Sequence, residues 1–276
     1  MRKDLCVFYR RTDFLSVLLL LIWIIGAHAQ INTEAMRKED VKPGFHFEAG
    51  GDVGYVDGNS SLFQNRSNLR LDYVQDWGLV FLVANYRLNM KDKLLFINKG
   101  FSHLRTVKRL RSPLYGEIFL QQEFNEFIQI EDRKLIGSGL RIKWNELDTF
   151  IELSQKLTLI SGMGLMWERE KIDTGPDGTE GDPIHGDLAS LLRSTNYMVL
   201  NWTPKPGLGL LTTTYFQFDT KRLSDYRILG RSTLKVSLSK RLSVTLNLNI
   251  RYDSEPPGKI EPLDVDFQNG FSYKFK

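Results

Sequence analysis

The sequence is poor in the residues that most often carry chemistry. Among 276 residues there is one cysteine, Cys6, and there are four histidines. Cys6 precedes the apolar run of a leader segment, so it is not a lipoprotein cysteine, and loss of the leader leaves a chain without cysteine. An exported chain of that kind has no disulfide to staple it and no thiolate for a metal, so packing or closure of a sheet must stabilise it. Charge of one sign is lacking as well. The 37 basic and 33 acidic residues leave a net +4, which is no nucleic-acid signature. Past Ile25 charged or strongly polar residues interrupt every apolar run, so no later stretch reads as a transmembrane helix. Nine prolines and 22 glycines exclude a collagen-like or low-complexity chain. The 42% apolar and 12% aromatic content excludes a disordered one.

What is present begins with an export signal. Arg2, Lys3, Arg10 and Arg11 form a basic head, Val17 to Ile25 an apolar core, and Ala27-His28-Ala29 a small-x-small cleavage site. The reading is a cleaved signal peptide at 1–29 and one domain at 30–276. Cleavage removes four basic and two acidic residues, so the net charge falls from +4 to +2.

The rest of the chain alternates with period two. Leu242, Val244, Leu246, Leu248, Ile250 and Tyr252 share one face, while Ser243, Thr245, Asn247, Asn249 and Arg251 share the other. Leu263, Val265, Phe267, Phe271, Tyr273 and Phe275 repeat the pattern at the end of the chain. These are two-faced strands of ten or more residues. Ordinary strands have about five or six residues, whereas membrane barrels use about 9–11, apolar outside and polar inside. Alternation and breakers together predict about twelve strands, near 44–57, 65–75, 78–89, 99–109, 114–127, 132–144, 154–170, 193–203, 208–219, 226–238, 241–253 and 263–275. Short connections (75–77, 110–113, 203–207, 239–240) fall between longer polar ones (171–192, 220–225, 253–262), the loop rhythm of an outer-membrane barrel. The expected fold is therefore all-β, an antiparallel transmembrane β-barrel. An even strand count puts the N- and C-termini on the short-turn, periplasmic side.

Asn125-Glu126-Phe127, Arg133 and Leu135-Ile136-Gly137-Ser138-Gly139-Leu140-Arg141 resemble the centre of the bacterial domain of unknown function 481 family. Gly54-Tyr55 with Gly58-Asn59 resembles that family's first hairpin. The resemblance implies an outer-membrane β-barrel of the Gram-negative envelope, of a group often labelled salt-induced outer-membrane proteins. It also implies periplasmic chaperones, the barrel-assembly machinery and outer-membrane lipid as partners. It brings no catalytic residues. Phe271, Tyr273 and Phe275 form the aromatic assembly signal, which here stops one residue short of the terminal Lys276.

Parity assigns the lumen. Arg70, Asp72, Arg87, Glu117, Glu123, Arg141, Lys143, Arg231, Lys235, Arg251, Asp264 and Asp266 are expected to face inward. Because both signs occur there, the lumen is expected to be narrow, charged and partly occluded, with Arg251 near Asp264 or Asp266. No chemistry is expected. Ser102 and His103 are strand neighbours and point to opposite faces, there is no Gly-x-Ser-x-Gly elbow, and no histidines sit at ligand spacing. The acidic loop Asp173 to Asp187 is read as a solvated surface loop, and no metal or cofactor is assigned. The function expected is envelope integrity or slow passage of small solutes. The alternatives are an outer-membrane lipid-modifying enzyme and an exported soluble β-sandwich.

Overall fold

The computed structural model describes residues 42–147, 156–173, 186–256, 258, 260–273 and 275. The expected signal peptide and most of the acidic loop lie outside the described residues. Twelve strands follow one another: β1 (Gly44–Val56), β2 (Leu62–Gln75), β3 (Gly78–Lys91), β4 (Leu94–Arg111), β5 (Leu114–Asn125), β6 (Ile130–Lys143), β7 (Leu157–Ile172), β8 (Leu188–Lys205), β9 (Leu208–Asp219), β10 (Tyr226–Ser237), β11 (Leu242–Asp253) and β12 (Leu263–Tyr273). They form a single sheet in sequence order, with every neighbouring pair antiparallel. One sheet, rather than two stacked ones, sets aside the sandwich alternative.

Each expected strand coincides with an observed one. The largest differences are β4 and β8, which both run to 18 residues. In β4 the pairing slips at a bulge between Asn89 and Met90 of β3. This breaks the alternation that would have carried the reading back to Leu94. In β8 the adjacent Leu191 and Leu192 hide the period. The β3–β4 connection is only Asp92-Lys93, both at positive φ (50° and 67°), the geometry of a tight type I′ hairpin. Asp92 supports it by accepting the Ser61 amide at 2.8 Å. At the opposite end, β6–β7 is joined by residues 144–156, longer than the other connections there, and begins with a 3-10 turn at Trp144–Glu146. The alternation of loop lengths is thus broken by this connection at one end and, at the other, by β3–β4 and by the four-residue β5–β6 connection. Among the described residues, no helix is long and apolar enough to cross a membrane.

The sheet rolls into a barrel with its polar parity inside. The Tyr197 hydroxyl of β8 donates to Glu117 of β5 at 2.8 Å, and Arg227 of β10 donates to Glu168 of β7 at 2.7 Å. Three strand spacings are about 14 Å on a flat sheet, so side chains meet across them because the sheet curls toward that face. Two inward glycines help it fill. A Cβ on Gly137 would lie 2.3 Å from the Phe119 ring, and one on Gly162 would lie 2.2 Å from the Tyr197 ring. Rings from β5 and β8 therefore rest on the bare backbone of β6 and β7. Ile160, Tyr197, Val199, Tyr215 and Leu229 make an inward apolar cluster. The outward parity is apolar and exposed, as at Phe47, Tyr55, Ile118, Met163, Phe267 and Phe271. β1 and β12 are the sheet's edges, and no hydrogen bonds between them occur among the described residues.

Candidate functional site

The inward face carries a continuous network of ionised side chains. Register sets it up: Arg133 lies opposite both Glu123 and Glu170, Arg227 opposite Asp253, and Arg251 opposite Asp264. Arg133 donates to Glu123 at 2.7 Å and also to Glu170. Glu168 accepts from Arg227 at 2.7 Å and lies 3.2 Å from Arg193. Arg193 grips Asp225, in the β9–β10 loop, through two bonds of 2.8 Å. This fork-to-carboxylate geometry adds direction to charge. Arg227 continues to Asp253 at 2.8 Å. Arg251 then reaches Asp253 at 3.1 Å and Asp264 at 3.4 Å. Four arginines meet six carboxylates, and Arg133, Arg193, Asp225 and Asp253 are fully buried. Ions removed from water at such cost persist only when paired and hydrogen-bonded.

A second cluster joins the first toward the other end of the lumen. Glu117 takes the Tyr197 hydroxyl bond and lies 3.6 Å from both Arg105 and Arg141. Arg105 donates to His103 Nε2 at 3.2 Å, so that nitrogen is the acceptor, and Nδ1 faces the Gln121 carbonyl at 2.9 Å. Gln121 in turn donates to Glu123 at 2.9 Å, closing the chain of contacts back to Arg133. Beside this second cluster lies a cavity of about 30 Å³ lined by His103, Glu117 and Tyr215, room for a water or two.

The wall formed by β2 to β5 is different. Arg66, Arg87 and Lys99 are direct register partners across three strands. They line a cavity of about 530 Å³ together with Asn68, Asn85 and Phe101. None of the three makes an ion pair among the described residues. The carboxylate that also lines the cavity, Glu123, is held by Arg133 and Gln121. Asp266 of β12 acts electrostatically on Lys99 of β4.

All twelve residues assigned to the lumen by parity share this inward face by register. Arg70 and Asp72 pair at 2.5 and 2.6 Å. Arg87 lines the large cavity, Glu117, Glu123, Arg141, Arg251 and Asp264 belong to the network, and Lys143 stands 5.2 Å from the centre of the Tyr115 ring. Arg231 and Lys235 lie opposite Thr213 and Gly209. Asp266 lies opposite Asn249 and accepts a bond from Gln268. Phe271, Tyr273 and Phe275 are exposed, with the last two rings 4.7 Å apart. Ser102 is exposed on the outer face while His103 is buried inside.

Sequence reasoning missed Glu168, Glu170, Arg193, Asp225, Arg227 and Asp253, and it missed Arg66 and Lys99. Parity was the available signal for most of them. It was blurred in β7, where Arg169 and Lys171 place charge on the outer parity beside Glu168 and Glu170. Asp225 carries no parity, since it sits in a loop.

A rolled, twelve-stranded antiparallel sheet with an ionised interior and an apolar exterior defines a β-barrel protein. Within that class the chain belongs to the family described as "Protein of unknown function, DUF481", whose profile matches residues 47–275. No curated protein matches the chain. Among solved structures, one titled "NanC porin structure in rhombohedral crystal form" is similar at 10% identity and a TM-score of 0.41, covering 83% of this chain and 99% of that one.

Proposed function

We propose that the protein is an outer-membrane β-barrel without enzymatic activity, serving envelope integrity or slow passage of small solutes. The observation that carries this reading is the inversion of the usual pattern: buried ions inside and exposed aromatic and aliphatic side chains outside. In water such an exterior is a liability; against lipid it is the required surface. In the proposed membrane form β1 would pair with β12, antiparallel for an even strand count, removing both open edges, which otherwise template aggregation. The signal peptide at 1–29 is cleaved after Ala29. Periplasmic chaperones and the barrel-assembly machinery then receive a chain whose last strand ends in Phe271, Tyr273 and Phe275.

The ion network crosses the lumen and obstructs it, so passage is restricted. The opposite faces of Ser102 and His103 favour the non-enzymatic reading, because a nucleophile and its base need hydrogen-bond reach. The test is electrophoretic mobility of the mature protein from isolated outer membranes, boiled and unboiled, followed by conductance in planar bilayers. A heat-dependent mobility shift with small, salt-dependent conductance is expected. Recovery in the soluble fraction without a shift overturns the reading, and a large, salt-insensitive conductance overturns the occluded lumen.

A further inference from the structure

The cavity on the β2–β5 wall has features that a merely structural interior does not need. Arg66, Arg87 and Lys99 occupy directly opposed positions on β2, β3 and β4. Opposed residues have Cβ atoms about 5 Å apart, and like charges there repel. In the ion network, by contrast, Arg133, Arg193, Arg227 and Arg251 are each matched with carboxylates at hydrogen-bond distance. Here three cations stand side by side around about 530 Å³ of open space, within the range of small-ligand sites. Three carboxylates stand near them: Asp52 of β1 lies opposite Arg66 in register, Asp266 acts on Lys99 from β12, and Glu123 is engaged by Arg133; none of these forms an ion pair with the three cations among the described residues.

The flanking groups are those of a recognition site. Asn68 and Asn85 pair with one another in the next layer, and Asn125 lies opposite Lys99. Their amides can donate to anionic oxygens and accept from hydroxyls. Phe101 and Ile128 supply an apolar floor.

Resting on the barrel reading above, we infer that this cavity is a binding site for a soluble, multiply charged oxyanion bearing carboxylate or phosphate groups. Arg66 and Arg87 bind its oxygens through paired N–H groups, Lys99 binds as a point charge, and the asparagines hold its neutral polar groups. A lipid headgroup on the barrel exterior does not reach the site, because all three cations lie on the inward parity.

The test uses the full mature chain in detergent, checked by its mobility shift. Citrate, pyrophosphate and neutral glucose are titrated separately by calorimetry at low salt. One-to-one binding of citrate or pyrophosphate is expected, weakening as salt rises and absent for glucose. Whichever of the two binds more tightly assigns carboxylate or phosphate as the preferred group, and equal affinity leaves the shared oxyanion chemistry as the determinant. Arg87→Gln and Lys99→Gln each weaken binding about tenfold, the loss of one charged hydrogen bond. Lys134→Gln, on the outer face, leaves it unchanged. Variants are scored only if they keep the mobility shift, and having two of them guards against one that fails to fold. Shifted protein that binds neither anion, binds glucose equally well, or is indifferent to both substitutions overturns this inference and leaves the barrel standing. Protein that shows no shift overturns both.

Discussion

The two sides of the barrel interior solve the same electrostatic problem in opposite ways. On the side of β5 to β12, four arginines are enclosed by six carboxylates, and the key members are inaccessible to water. On β2 to β4, beyond the paired Arg70 and Asp72, three cations line open space, and none of them makes an ion pair among the described residues. The first arrangement fills the lumen and ties together strands distant along the sheet, because each guanidinium has five donors to share among several carboxylates. The second holds like charges together against their repulsion and leaves room beside them. A buried charge is stable when its partners are built in. A clustered charge that keeps its space open is where the proposed oxyanion would complete the pairing.

Substitutions on the two sides sharpen this contrast. The largest effect is expected from Arg133→Ala. It leaves Glu123 and Glu170 without their shared guanidinium, and breaking a buried pair from one side costs about 3–5 kcal/mol. Urea unfolding in detergent, followed by loss of the mobility shift, should show a much lower midpoint. Next comes Gly162→Ala, whose new Cβ displaces the Tyr197 ring and strains its bond to Glu117. Overpacking of that kind costs about 1–3 kcal/mol, read in the same unfolding experiment. Arg87→Gln should act in the opposite direction, raising stability by about 0.2–1 kcal/mol and so the midpoint, as opposed like charges are relieved. A fall in stability there would erase the distinction between the two sides. The smallest effect is expected from Lys171→Ala, which removes an exposed pair with Glu131. Exposed pairs contribute about 0–1 kcal/mol, so its midpoint should be indistinguishable from that of the parent protein.

Much of the architecture was legible because a strand writes its two faces into alternate residues. Leu242 to Tyr252 shows its outer face without interruption, and β11 runs from Leu242 to Asp253. The inward positions of Arg70, Glu117 and Arg251 follow from the same count. Legibility failed where the count was disturbed. A bulge opposite the start of β4 shifted the register, consecutive leucines masked the start of β8, and outward Arg169 and Lys171 camouflaged Glu168 and Glu170. The anchoring role of Asp225 could not be read from parity, since a loop residue has none.

The sequence by itself determined the period, the strand number, the antiparallel order and which parity is polar, since each depends on residues adjacent along the chain or across a hairpin. The nearness of Arg251 to Asp264, on neighbouring strands, was also expected from the sequence; only the tertiary structure decided which inward charges meet across strands that are not neighbours. The contacts from Tyr197 to Glu117 and from Arg227 to Glu168 span three strands, so they exist through the curl of the whole sheet. The same curl fills one side of the lumen with ion pairs and leaves Arg66, Arg87 and Lys99 around an open cavity. The pairs between neighbouring strands follow from register, whereas the contacts that cross the lumen are a property of curvature, and no local stretch of sequence encodes those.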